Sequence, residues 1–331
     1  MMKHRGFWVM AGILVLSVLI TSCIGRFPLT LKEIWEICTG TMQEAVKEDV
    51  FLKIRLSRAF FVGMTGAGLA VSGLVYQELL QNPLVSPDVL GVSGGACAGA
   101  VGAILMGGSA LAVQASALAF GLLAVFLTIA LSGLIGGQRT VNMILAGIVV
   151  KAVADAIIMG FKYFADPSRQ LPSIDYWMMG SFHTVRWTEV RMVLPVVIAA
   201  FLVLWLMRWK LQVMSLGEEE ARSLGIPAGR VKFICILAAT VLVASSVSVT
   251  GVVAWTGLIV PHMVRFFTGD NLMKNFGICG CAGAVFMIWA DTLARSLTAA
   301  EIPVSIITSA AGAVFLLAVL IRRRKRGEAD T

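Results

Sequence analysis

Apolar runs of about 20 residues, the length at which a helix crosses a ~30 Å hydrocarbon core, recur from one end of this 331-residue chain to the other. They fall near 7–24, 56–79, 90–107, 113–136, 141–162, 190–208, 229–249, 252–268, 276–294 and 303–321, with 90–107 and 252–268 the shortest. Inside a bilayer every backbone N–H and C=O must find a partner within the protein, which only helices and closed barrels achieve. A barrel needs short alternating segments, whereas these runs are continuous Leu, Ala, Val and Gly. The sequence therefore predicts an all-α integral membrane protein, a bundle of about ten transmembrane helices. Charged residues make up only 14% of the chain, against roughly a quarter in soluble domains. Residues 1–331 are thus expected to form a single transmembrane domain. Gly-rich stretches such as "GMTGAGLAVSG" and "GVSGGACAGAVGA" predict close helix-to-helix packing.

An even number of spans puts both termini on one side. Both are basic, "KHR" at 3–5 and "RRRKR" at 322–326, and their side collects most of the net charge of +8. The positive-inside trend makes that side cytoplasmic. "ITSC" at 20–23 also fits a lipoprotein signal ending at Cys23, whose processing would remove the first span. That would place the basic tails on opposite sides, so a plain first helix is preferred. Cys23, Cys38, Cys97, Cys235, Cys279 and Cys281 sit mostly inside apolar runs, as small buried hydrophobes do. His4, His183 and His262 are widely scattered, and no metal site is expected.

Between two strongly apolar runs the chain writes "SLGEEEARSLGIP", residues 215–227. Ser215 as N-cap with Glu218 at N3 has capping-box spacing. Glu218, Glu219 and Glu220 then occupy the positive end of the helix dipole. Gly225 suits a left-handed C-terminal position, with Pro227 barring continuation. The expectation is a helix of about nine residues, too short to be stable unsupported. Three glutamates are unfavourable beside anionic headgroups, so docking into a soluble partner is a better reading than lying on the membrane.

These residues resemble the cytoplasmic coupling segment, about 213–228, of the permease subunits of type II ABC importers, the family that carries iron-siderophore, haem and cobalamin. "RLSRAFFVGMTGAGLAVSGLVYQELLQNPLVSPDVLGVSGGACAGA" (55–100), "YWMMGSF" (176–182), "GLIVPHMVRFFTGD" (257–270) and "ADTLARSLTAAEIPVSIITSAAGAVFLL" (290–317) are similar to further family segments, in the expected order. The resemblance implies a ten-helix permease paired as a homodimer or with a close relative. Two cytoplasmic ABC ATPase subunits would bind ATP-Mg, and an extracytoplasmic binding protein would deliver substrate. It implies that Ser215, Leu216, Gly217, Glu218, Glu219, Glu220, Ala221, Arg222, Leu224 and Gly225 form the element seated in the ATPase. It also implies that Arg55, Arg58 and Arg295, on the outer side against the charge trend, dock the binding protein; a guanidinium fork suits a carboxylate partner. Interfacial snorkelling is the plainer alternative.

Asn82, Pro83 and Leu84, in the turn after the second span, lie with Thr140 where the resemblance places an inner gate. A purely structural turn fits the same residues. Pro83 and Pro87 break any continuous helix there, and Asp88 suits capping the next. "GVSGGACAGA" lacks the GK[ST] ending of a phosphate-binding loop, so the chain is expected to bind no cofactor itself and to have no catalytic residues. Lys151 and Asp155, four apart in the fifth span, share a helical face and could pair. Charges at that depth face a bundle interior or a watery path, which marks them as a path-lining feature or a buried structural pair. Pro261 bends an apolar helix near His262 and Arg265, and Asp291 can cap or pair with Arg295, four residues on.

The expected function is a permease of the prokaryotic cytoplasmic (inner) membrane, multi-pass, importing a bulky metal chelate by alternating access, foremost ferric siderophore, with haem or cobalamin as alternatives. Nucleic acid is not an expected partner. An ion-coupled secondary transporter using Lys151 and Asp155 would work without an ATPase. A membrane-embedded enzyme would need clustered catalytic residues, which the sequence does not offer.

Overall fold

The structure, a computed structural model, describes residues 5–25, 27–135, 139–298 and 300–327. The start of the N-terminal basic cluster and the side chains of 322–326 lie outside the described residues. The helices are α1 (Arg5–Cys23), α2 (Leu31–Cys38), α3 (Ala45–Asp49), α4 (Leu56–Leu79), α5 (Val92–Leu105), α6 (Ala110–Leu134) and α7 (Arg139–Phe164). They continue as α8 (Gln170–Met178), α9 (Trp187–Met214), α10 (Glu218–Ser223), α11 (Ala228–Thr250), α12 (Thr256–Thr268), α13 (Leu272–Ser296) and α14 (Val304–Gly327). A π-helical turn, Val50–Arg55, runs α3 into α4, and a 3-10 turn, Pro87–Leu90, precedes α5.

Each expected apolar run contains a helix, and seven are long and apolar enough to cross a membrane. The short ones have local causes. α5 starts only after the turn that follows α4, whose Gly91 adopts a left-handed φ of 81°. α12 starts after a non-helical stretch at 251–255 that begins at Gly251, φ 72°, and ends in Trp255, at φ 69°. That conformation is costly for a bulky residue, and the Trp255 ring packs directly on Gly312 of α14, where a Cβ would collide with it. α2 and α8 lie outside the expected spans. α2 is amphipathic and closed by a capping box between Thr30 and Glu33. With Leu29 and Phe51 it forms a small separate core from Ile34 and Ile37.

α4 and α11 are the central, mostly buried helices; α1, α6, α7 and α9 lie at the periphery. Glycine sets the spacing around α4. Gly66 meets the Gly283 backbone of α13, and Gly73 meets that of Gly257 in α12, so a side chain at either would strike a neighbouring carbonyl. Gly95 and Gly99 of α5 press likewise on the α6 carbonyls of Phe120 and Ser116. Close backbone approach is how helices gain contact where no hydrophobic force separates them from lipid. α1 belongs to the same bundle: it packs on α13, and the Trp289 indole donates to Ser17 Oγ at 3.1 Å.

Candidate functional site

At one end of the bundle, α9 stops at Met214 and Ser215 closes it, its hydroxyl donating to the Gln212 carbonyl at 2.8 Å. Ser215 is therefore a C-cap, not the N-cap of the next helix. Gly217, at φ 132°, makes the turn instead, and a Cβ there would collide with the Glu220 carboxylate. α10 is consequently six residues long, Glu218–Ser223, with no side-chain N-cap, rather than about nine. Its C-terminus is as expected: Gly225 sits at φ 78° and donates to Arg222 O at 2.9 Å, and Ile226 donates to Ala221 O at 2.9 Å. This pair of bonds is a Schellman closure.

Buried Ala221 and Ile226 anchor the segment. Leu216 and Leu224, 65% and 64% exposed, flank exposed Glu219 and Glu220 on the free side. Glu218 points inward. It accepts from Lys232 Nζ of α11 at 2.6 Å and from Arg222 at 3.3 Å. Lys232 is buried and also donates to Thr140 Oγ1 at 3.3 Å, at the start of α7.

Towards the same end, the turn after α4 is built from its own polar groups. Gln81 takes φ 49°, and Asn82 Oδ1 accepts from the Leu84 amide at 2.9 Å, which leaves Leu84 exposed beyond Pro83. Gln77 Nε2 donates to Val85 O at 3.1 Å, and Arg265 of α12 bonds the same glutamine. The N-cap of α5 is Gly91 rather than Asp88, but Asp88 Oδ1 still accepts from the Ser93 amide in the first turn at 2.9 Å. Its other oxygen takes Lys151 Nζ at 3.0 Å. The expected Lys151–Asp155 pair is thus replaced by Lys151–Asp88. The lysine lies halfway along α7 and reaches across to the 3-10 turn packed beside it. Lys151 and Asp155 are both exposed in the single chain. Beside this pair a cavity of about 240 Å3 extends from Asp88 and Ser93 to the 252–258 stretch.

The three arginines expected to dock a partner are turned inward at the opposite end. Arg58 binds Asp291 at 2.8 Å and Glu301 at 2.9 Å. Arg55 donates to the Ser22 and Phe27 carbonyls. Arg295 donates to Thr21 O at 2.7 Å and Ile24 O at 2.8 Å, and sits 3.8 Å from Asp291. The physical reason is the C-terminus of α1. Its last carbonyls have no intrahelical donors, and cationic groups satisfy them best. The result is a clasp holding α1, α4 and α13 around a cavity of about 150 Å3.

Near it a wider cavity of about 440 Å3 opens, lined by Tyr176, Trp177, Ser181 and His183. Ser181 Oγ lies 2.7 Å from His183 Nδ1, and the Tyr176 ring meets the imidazole edge-on at 5.2 Å. Gly180 takes φ 74° where Ser181 N–H donates to Thr250 O at 2.7 Å and Val304 N–H to Gly180 O at 3.0 Å, joining α8, α11 and α14. In sequence His183 stands apart from the other histidines, and only the adjoining "YWMMGSF" segment, which holds Tyr176, Trp177 and Ser181, points to it.

Short helices cut by tight turns, a small tethered helix at one end, and cavities beside Asp88 and at the other end suit a transport path. The profile of the FecCD transport family matches residues 13–322. The chain is 34% identical to the molybdate import system permease protein MolB of Haemophilus influenzae, over 95% of this chain and 94% of that one. It is 32% identical to a Helicobacter pylori protein named as an iron chelatin transport system permease (94% and 96%) and 35% identical to the vitamin B12 import system permease BtuC of Yersinia enterocolitica (94% and 90%). A solved structure described as an inward-facing conformation of a metal-chelate type ABC transporter superposes with TM-score 0.86 at 32% identity, covering 96% of this chain and 98% of that one. A match of that extent to one family along nearly the whole bundle means that the chain belongs to the FecCD transport family, as a permease of the ABC importer kind.

Proposed function

We propose that this chain is the membrane-spanning subunit of an importer for a metal chelate in a prokaryotic inner membrane, working as a pair of copies by alternating access. Ten helices cross, α5, α12 and the apolar part of α14 included, and both termini face the cytoplasm. The observation that carries the reading is α10: a capped helix anchored by Ala221 and Glu218, with Leu216, Glu219, Glu220 and Leu224 left exposed. A partner ATPase carrying Mg-ATP would cover that face, and a binding protein would deliver cargo at the arginine-clasp end. Asn82, Pro83, Leu84 and Thr140 belong to the cytoplasmic gate.

The relatives' names span molybdate, iron chelate and vitamin B12, so the cargo must be argued from this chain. Halfway along α7, Lys151 is already paired with Asp88, and Asp155 adds a second carboxylate one turn away on the same exposed face. Charges at that depth face water rather than lipid, which places them on the path between copies. A bare oxyanion would be repelled there. A chelate whose organic shell wraps the metal is favoured, ferric siderophore first, then haem and cobalamin. Proteoliposomes holding the permease with its ATPase and binding protein, offered ferric siderophore, haemin, cobalamin and molybdate in parallel, test this. Uptake of one chelate only with ATP is expected. Uptake of molybdate alone would overturn the cargo, and uptake on an ion gradient without ATP would overturn the mechanism.

A further inference from the structure

Lys232 occupies an unusual position. It is 5% exposed, one turn into α11, with its ammonium between two partners from separate parts of the chain. Glu218 Oε1, the first residue of α10, lies at 2.6 Å, and Thr140 Oγ1, the second residue of α7, at 3.3 Å. A buried ammonium is costly unless paired and hydrogen-bonded, so neither contact is incidental.

The packing around it makes this arrangement informative. α10 rests on α9 and α11, whereas α7 packs chiefly on α5, α6 and the 3-10 turn. The side chain of Lys232 therefore bonds α10 on one side and the start of α7, the helix bearing Lys151, on the other, where α11 also packs on α5 and α6. We propose that Lys232 is the positioning residue through which displacement of α10 reaches the gate end of α7. When α10 moves, Glu218 moves with it; the ammonium must follow its carboxylate or be stranded, and following it pulls on or releases Thr140. Coupling of this kind needs a discrete contact that both ends bias, and a charge-assisted bond at one end with a neutral one at the other supplies it. The weaker Thr140 bond is the one expected to break during the cycle.

This inference rests on the importer reading, and the experiment separates the two. In the full complex in proteoliposomes, uptake and ATP hydrolysis are measured together for wild type, Lys232→Met, Thr140→Val and the neutral pair Glu218→Gln/Lys232→Met. A wild type without ATP-dependent uptake defeats the importer reading itself. Given wild-type uptake, Lys232→Met is expected to keep hydrolysing ATP while uptake per ATP falls about tenfold, within the range of coupling changes such contacts produce. Thr140→Val, which leaves the Lys232–Glu218 pair in place, is expected to lower the same ratio. The neutral pair removes the stranded charge and secures folding should Lys232→Met fail to assemble; it is expected to stay uncoupled. Wild-type uptake per ATP in Thr140→Val, or in the neutral pair, would overturn the relay and leave Lys232 as a purely structural residue.

Discussion

Arg58→Gln would remove the cation that holds Asp291 at 2.8 Å and Glu301 at 2.9 Å, leaving Asp291 only the longer 3.8 Å contact with Arg295. Breaking one partner of a buried pair costs about 3 kcal/mol, so a clear drop in melting temperature in detergent is expected, with Asp291→Asn close behind. Gly225 as the left-handed closure of α10 and Asp291 beside Arg295 were legible in the sequence because both follow from local helix geometry. The other partners of Arg55, Arg58, Arg295 and Lys151 were not, because they lie far off in the chain: Phe27, Asp291, Thr21 and Asp88 reach them only through tertiary packing. Glu33 gives a pH prediction. Bonds from Lys47, the Thr30 amide and the Thr30 hydroxyl hold its carboxyl down to about 2, from 4.5. Because the folded value is the lower one, the contribution is complete above pH 4.5 and fades as pH falls towards 2. The protection factors of the α2 amides, corrected for the pH dependence of intrinsic exchange, should therefore fall across that window while those of α4 stay high; unchanged protection of α2 at pH 2 would refute the assignment.

Helices show a different pattern. Every long apolar run became a helix, since in a bilayer the backbone has few other choices. The two shortest runs became the short helices α5 and α12, which begin only after the left-handed turns at Gly91 and at Trp255, the latter packed on Gly312. α2 escaped because its amphipathic face is short, although "TLKE" at 30–33 spells the capping box that closes it. α10 shrank because Ser215 was claimed by α9. The glycine contacts of α4 make an element-scale prediction. Gly66→Val or Gly73→Val must push α13 or α12 away, and overpacking of this kind costs about 1–3 kcal/mol or more. Both should lower thermal stability, whereas Gly133→Val, with open space around it, should not.

For the whole molecule, the bundle is asymmetric along its length. One end is closed by a clasp of arginines and carboxylates, the other carries a small acidic helix flanked by exposed leucines, and Lys151 with Asp88 marks the middle of α7. In the proposed importer, energy from ATP enters through the exposed face of α10. Charge reversal of Glu219 and Glu220 to lysine probes this face without touching the buried anchors Ala221 and Ile226, because both side chains are exposed. In proteoliposomes with the ATPase and binding protein, the doubly reversed permease should bind its ATPase weakly and lose at least about tenfold in ATP-dependent uptake, as expected when like charges meet across an interface. The melting temperature of the isolated permease should stay at the wild-type value. Full uptake with both charges reversed would contradict the account.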